Sequence, residues 1–189
     1  MFPQNNDHRT LSYVYWPYYC EECVWKLCKS LNDAEKKRAY AVVISNVRKQ
    51  VLFWHQKASP EEDPIVWDYH VILFLDSDRG WQAWDLASRL PCPISVDEYL
   101  LHSFRPDLPV PPEMRPRFRL ADADQYQRQL ATDRSHMKNE DGSFRAPPPP
   151  WPPISQETNL DQWIDMTNPY PGSVLDLQEV TPWLGGRPA

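Results

Sequence analysis

The chain has 189 residues and a formal net charge of −6, with 41% apolar residues, 9 tryptophans and 9 tyrosines. This length and apolar content suffice for one domain with a substantial core, and they exclude global disorder. The acidic balance, without a long basic block, excludes the usual nucleic-acid or anionic-membrane partner.

Proline is the unusual residue, with 21 prolines against 5 glycines, and long extended connections are therefore expected. Residues 1–10 are polar and lack the apolar region of a secretory signal. The longest clear apolar run, 71–75, is too short to span a bilayer. Four cysteines without such a signal predict free thiols in a reducing compartment.

The first half of the chain begins with a predicted irregular arm at residues 1–17, followed by a helix at 20–31. Apolar residues recur in that helix at the spacing that faces a core: Val24, Leu27, Cys28 and Leu31. Residues 39–45 and 51–55 have the pattern of buried strands.

The strongest strand pattern covers residues 65–75, and a turn at 77–80 leads to a return strand at 81–85. Alternation places Asp68, His70 and Ile72 on one face of this strand, and Tyr69 and Val71 on the other.

The second half is predicted to contain four helices, one short strand and a long proline-rich loop. The helices are predicted at 95–104, 122–132, 159–166 and 178–184, the strand at 118–120 and the loop at 133–158. Together the elements predict a single domain over residues 1–189. The fold class is mixed α/β (α+β), with a largely antiparallel sheet flanked by helices.

Cys20 lies where the first helix begins, and this position favours a nucleophile. Free N–H groups and the helix dipole stabilise a thiolate there, and the same N–H groups stabilise an oxyanion. The alternative is a small buried core residue, which is a common role for a free cysteine.

His70 and Asp85 are predicted to meet across the hairpin. A two-residue loop places them directly opposite each other, whereas a four-residue loop places them one diagonal step apart; both keep the side chains within reach. A histidine N–H satisfies a buried carboxylate, which in turn fixes the imidazole tautomer. Asp68 shares the face of His70 and is the rival partner, while a purely structural histidine is the alternative.

The motif Trp-Asp-Tyr-His-Val at residues 67–71 is that of the protein N-terminal glutamine amidohydrolases, the family that this chain resembles. Further similar segments, in the same order, are 19–27, 41–46, 133–138 and 147–150. The resemblance covers roughly residues 18–153. It implies a papain- or transglutaminase-like fold with Cys20 as nucleophile, His70 as base and Asp85 as orienting acid. Cys23 departs from the family pattern.

The resemblance also implies the reaction: deamidation of an N-terminal glutamine to glutamate, without metal or organic cofactor. The partners implied are proteins or peptides with a free N-terminal glutamine, and the product feeds an N-degron pathway. Candidates to bind the substrate α-ammonium group are Glu21, Asp68 and Asp133. Their structural alternatives are, respectively, a first-turn partner of the helix dipole, a buried structural acid and a loop cap. A monomer in the cytoplasm, with the nucleus as a second location, is expected.

Several other functions fit parts of the sequence. Cys20 and Cys23 form a C-x-x-C pair that suits a redox dithiol, and with Cys28 and a histidine they could bind zinc. The proline-rich run at 146–153 suits an SH3 or WW ligand in a non-catalytic adaptor, although Trp151 favours an anchor to the domain body. A transglutaminase or a cysteine peptidase would use the same three residues as the amidohydrolase.

Overall fold

The computed structural model describes residues 13–60 and 63–186 of the chain. Residues 1–12 of the predicted arm at 1–17 therefore lie outside the described residues. The described chain contains a mixed α/β arrangement, which confirms the predicted fold class.

The described chain contains six α-helices and eight strands. The helices are α1 (Cys20–Ser30), α2 (Asp33–Lys36), α3 (Val96–Phe104), α4 (Ala123–Gln129), α5 (Leu160–Ile164) and α6 (Leu177–Gly185). The strands are β1 (Ala39–Ser45), β2 (Val51–Phe53), β3 (Ile65–Trp67), β4 (His70–Ser77), β5 (Gly80–Trp84), β6 (Ile94–Ser95), β7 (Arg117–Asp122) and β8 (Ser173–Asp176). Strands β6 and β8 and the short helix α2 were not predicted.

The main sheet has six strands in the order β6-β5-β4-β1-β7-β8. Every neighbouring pair is antiparallel, as predicted. The central strand β1 is buried along its whole length, which explains its unbroken apolar sequence. The kinship to papain or transglutaminase remains a prediction.

Two apolar layers cover the faces of this sheet. One contains residues of α1, α4 and α5, including Leu27, Tyr126 and Trp163. The other contains residues of α3 and α6, including Tyr99 and Val180. Strand β4 contributes to both layers because its side chains alternate between them.

The prediction of one strand over residues 65–75 is wrong, because Asp68 and Tyr69 interrupt the strand. Residues before the break form β3, which pairs with β2 in a separate two-stranded sheet. Residues after it form β4 of the main sheet. At this interruption the Asp68 side chain is exposed to solvent, while Tyr69 and His70 remain buried.

None of the helices in the described ranges combines the length and apolar character that a bilayer crossing requires.

Candidate active site

Cys20 is the first residue of α1, as predicted, and its side chain is half-buried. The chain reaches the helix through Tyr18, whose φ of 68° lies in the left-handed region that a bulky residue rarely adopts. No side chain caps the helix start, where Tyr19 is the N-cap residue. The first turn of α1 therefore presents N–H groups beside the thiol.

Several effects determine the protonation of the Cys20 thiol. Burial raises its pKa well above the usual value, and the Glu21 carboxyl acts in the same direction. A hydrogen bond from the backbone N–H of Val71 opposes them, and it places the sulfur at the start of β4. The shift is opposite to that expected from the helix dipole alone. The thiol is therefore protonated in the resting protein, with Sγ 3.8 Å from Glu21 Oε2.

His70 and Asp85 form the predicted pair. His70 Nε2 lies 2.8 Å from Asp85 Oδ1, and both side chains are buried. The hairpin pairs Ser77 with Gly80 and Leu73 with Trp84, so that Asp85 falls one diagonal step from His70. This is the register that the longer predicted loop gives. The rival pairing with Asp68 is not formed, because the Asp68 carboxylate accepts the N–H of Tyr69 instead, at 2.9 Å.

Asp85 accepts three further hydrogen bonds. Gln56 Nε2 and Tyr99 Oη each donate to Oδ2 at 2.9 Å, and the Ala87 N–H donates to Oδ1 at 2.9 Å. Burial acts to raise the pKa of Asp85, but His70, Gln56 and Tyr99 lower it below the usual value. The carboxylate is thus ionised and held rigidly against the imidazole. The imidazole itself is packed between two aromatic rings. The Trp67 ring is nearly parallel to it, with the ring centroids 6.4 Å apart, and the Phe53 ring is edge-on, with the centroids 5.5 Å apart.

The three candidate acids for the substrate lie in different environments. Asp68 is exposed, and Asp133 accepts the Ser135 N–H at 2.9 Å, as a loop cap does. Glu21 is fully buried beside Cys20. Its Oε2 accepts a hydrogen bond from Tyr69 Oη at 3.1 Å, and His136 Nε2 lies 3.5 Å from its Oε1. Only Glu21, of the three candidates, therefore lies next to the thiol.

The long loop at 133–158 is attached to the start of α1 by a buried ion pair. Arg134 binds both oxygens of Glu22, at 2.6 and 2.8 Å, and Trp151 Nε1 donates to the same carboxylate at 2.7 Å. Tyr19 Oη and Trp16 Nε1 donate to the carbonyls of Ala146 and Pro147. The prediction that Trp151 anchors the run to the body is confirmed. The proline-rich run thus braces the segment that carries Cys20.

Cys23 has a structural environment that explains its presence. It is 1% exposed, its sulfur accepts the Trp16 N–H at 3.2 Å, and its thiol lies 3.6 Å from the Trp16 carbonyl. Cys28 lies in the core layer beneath α1, as predicted. Among the described residues, no three Cys, His, Asp or Glu side chains converge as metal ligands would.

Sequence reasoning missed several residues of the site. Gln56 and Tyr99 bind Asp85, and His136 joins Glu21 and Tyr69 from the distant loop. Trp67 and Trp84, beside His70 and Asp85, have buried indole N–H groups without an acceptor among the described residues. Trp67 and Tyr69 lie within the family motif at 67–71, so the motif could have marked both of them as residues of the site. No local pattern marks Gln56, Tyr99 or His136.

The sequence of this chain is similar to those of known proteins. The model of the N-terminal glutamine amidase family matches residues 15–183. Protein N-terminal glutamine amidohydrolase of Homo sapiens is 40% identical over 182 residues, covering 92% of this chain and 89% of the human protein. The proteins of the same name from Bos taurus (41% over 160 residues, 81% and 77% covered) and Arabidopsis thaliana (40% over 178 residues, 87% and 80% covered) are similarly close. The chain belongs to the N-terminal glutamine amidase family.

Proposed function

We propose that this protein hydrolyses the side-chain amide of an N-terminal glutamine, releasing ammonia and leaving N-terminal glutamate. The single observation that supports it best is the Cys20 sulfur at the start of α1, which accepts a hydrogen bond from the backbone N–H of Val71, the residue that follows His70 of the His70–Asp85 pair. A cysteine, a base and a group that orients the base form the set needed for thiol-based acyl transfer. Relatives of this chain are named for the same reaction.

In the first half of the proposed reaction, His70 removes the proton of Cys20 as the sulfur attacks the amide carbon. Nε2 of His70 faces Asp85, so Nδ1 is the nitrogen that exchanges protons with the thiol and the substrate. The oxyanion lies at the start of α1, where the Cys20 N–H donates to it. The protonated imidazole then transfers its proton to the leaving nitrogen, and ammonia departs from a thioester.

In the second half, His70 Nδ1 accepts a proton from water, which attacks the thioester carbon. The C–S bond breaks, and the proton returns to the Cys20 sulfur. The net change is addition of one water and loss of one ammonia. Because the pKa of the resting thiol is raised, the proposed mechanism has the proton leave during attack, with His70 as the general base.

The test is ammonia release from a short peptide with N-terminal glutamine, with Cys20→Ser as the inactive variant. The same peptide with an N-terminal asparagine measures the requirement for side-chain length. Release from the glutamine peptide that disappears in Cys20→Ser supports the proposal. A crosslinked product or a cleaved peptide bond would instead show a transglutaminase or a peptidase. No product from folded, reduced protein would contradict all three.

A further inference from the structure

A group of three side chains beside Cys20 has no role in the proton transfers described above. Glu21, Tyr69 and His136 come from α1, from the break before β4 and from the long loop, respectively. Tyr69 Oη lies 3.1 Å from Glu21 Oε2 and 3.3 Å from His136 Nε2. We infer that Glu21 binds the α-ammonium group of the substrate, in a subsite that Tyr69 and His136 complete. This inference rests on the proposed function and adds to it the origin of its specificity.

The first support is an unpaired oxygen on Glu21. The side chain is fully buried, yet Oε1 has no hydrogen-bond partner among the described residues. Buried polar atoms are almost always satisfied in proteins. An unsatisfied carboxylate oxygen on the residue next to the nucleophile indicates that a ligand supplies the missing bond.

The second support is the charge balance of this group. Burial lowers the pKa of His136, so its imidazole is neutral at pH 7 and does not neutralise Glu21. Burial also raises the pKa of Glu21 to about 7, with its own backbone N–H opposing and the neighbouring Glu22 adding to the rise. A bound cation would favour the ionised carboxylate. The subsite therefore lacks one positive charge, which an α-ammonium group provides.

The third support is the match between acceptors and donors. An ammonium group has three N–H donors and no acceptor. The subsite offers Glu21 Oε1, the Tyr69 hydroxyl oxygen and, in its Nδ1-protonated tautomer, His136 Nε2. The His136 side chain is 23% exposed, so this wall of the subsite faces solvent. It is the side from which an N-terminus can enter.

The two rival acids lack these features. Asp68 is exposed and accepts the N–H of the next residue. Asp133 caps a loop, and the hydrogen bonds from Ser135 lower its pKa below the usual value. Both carboxylates are already satisfied in the resting protein, whereas Glu21 is not.

Binding at Glu21 links recognition of a free N-terminus to the nucleophile. The negative charge of Glu21 adds to the raised pKa of the Cys20 thiol. An ammonium group paired with Glu21 cancels that contribution and makes the thiol easier to deprotonate. A glutamine inside a chain, or one with an acetylated N-terminus, brings no such charge. The enzyme would therefore bind such a substrate poorly and activate its own cysteine less.

The first experiment compares Glu21→Gln with Asp68→Asn as a matched control. The ligand is a peptide with N-terminal methionine, which has a side chain similar in length to glutamine but no amide, used free and N-acetylated as a competitive inhibitor. In the wild type and in Asp68→Asn, acetylation should weaken inhibition by about 100-fold, the size expected for loss of a desolvated ion pair. In Glu21→Gln the free and acetylated peptides should inhibit within about threefold of each other. A 100-fold preference retained in Glu21→Gln, or lost in Asp68→Asn, would overturn the inference.

The second experiment measures the nucleophile directly in the absence of peptide. Alkylation of Cys20 by iodoacetamide at pH 7.5, followed by mass spectrometry of the Cys20 peptide, should be at least about threefold faster in Glu21→Gln, because the thiolate fraction rises. An equal or slower rate would contradict the electrostatic coupling between Glu21 and the nucleophile that the inference uses.

A second variant covers the case in which Glu21→Gln folds poorly. His136→Ala lies on the exposed wall and should weaken inhibition by the free peptide several-fold while leaving the acetylated peptide unaffected. Equal effects on both peptides contradict the subsite. These binding and alkylation measurements do not need turnover. Absence of ammonia release in the wild type would therefore reject the proposed function without deciding this inference.

Discussion

At the scale of the residue, Asp85 is a buried carboxylate that four donors hold in one orientation. The His70 ring, the Gln56 amide, the Tyr99 hydroxyl and the Ala87 N–H surround it. Such a carboxylate fixes the tautomer of the imidazole and stabilises the imidazolium that forms during the proposed reaction. Its contribution is therefore to the rate of chemistry more than to substrate binding.

Asp85→Asn should lower kcat by about 10²–10⁴-fold with little change in KM, because an amide stabilises the wrong imidazole tautomer. Steady-state ammonia release and a far-ultraviolet circular dichroism spectrum measure rate and fold together. Asp78→Asn, at the exposed tip of the same hairpin, is the matched control and should keep the wild-type rate. A wild-type kcat in Asp85→Asn would remove Asp85 from the proposed mechanism.

Glu21 lowers the stability of the folded protein at alkaline pH. Its folded-state pKa is about 7, against an ordinary value of 4.5, so the folded protein retains a proton that the unfolded chain has lost. Stability attributable to this group is unaffected below pH 4.5, falls as pH rises from 4.5 to 7, and stays reduced above 7. Other ionisable groups that face it are Cys20, Glu22, Tyr69, Tyr126, Arg134 and His136.

Glu21→Gln should therefore become more stable relative to wild type as pH rises from 5 to 8.5, by up to about 3 kcal/mol in the free energy of unfolding. Urea denaturation at a series of pH values measures this difference. Asp68→Asn, at an exposed carboxylate, is measured over the same pH series as the matched control. A difference in the free energy of unfolding that stays constant with pH for Glu21→Gln would show that burial does not raise the pKa of the Glu21 carboxyl.

At the scale of the element, the helix α1 and the long loop depend on each other. Glu22 is fully buried and Arg134 nearly so, and loss of one partner leaves the other charge buried alone. The pair also holds the carbonyls of Pro149 and Trp151 through the Arg134 guanidinium. The loop that carries His136 is thus fixed to the helix that carries Cys20.

Arg134→Met should lower the free energy of unfolding by about 3–5 kcal/mol, because the Glu22 carboxylate loses its partner in the interior. Thermal unfolding measures the loss, and the double variant Glu22→Leu/Arg134→Met should recover part of it. Arg128→Met breaks an exposed pair with Asp124 and should change the melting temperature little. Equal effects of Arg134→Met and Arg128→Met would contradict a stabilising role for the buried pair.

At the scale of the whole molecule, the proline-rich run is part of the folded body. Its carbonyls at Ala146, Pro147 and Pro149 accept hydrogen bonds from Tyr19, Trp16 and Arg134. Domains that bind polyproline need access to such a run along its length. The adaptor hypothesis therefore has little support in the folded protein.

An SH3 domain that binds an isolated peptide of residues 146–153 should bind the folded protein at least about tenfold more weakly, since the run would have to detach first. Isothermal titration with both ligands measures this ratio. Equal affinity for peptide and protein would revive the adaptor hypothesis. Denatured protein serves as the control that the run itself remains intact.

The sequence by itself determined the local features of this protein. The helix at Cys20, the hairpin that brings Asp85 to His70, the fully buried strand β1 and the family motif all follow from residues close together in the chain. Hydrophobic period and turn length control such features because they depend on neighbouring residues alone.

Only the tertiary structure decided the break at Asp68, the partners of Asp85 and the subsite around Glu21. Gln56, Tyr99 and His136 reach the site from separate segments, and no local pattern encodes which distant side chains will meet. Their positions depend on how the two layers pack on the sheet and on the Glu22–Arg134 pair that docks the long loop. Burial has the same origin, and it is burial that raises the pKa of Cys20 against the helix dipole.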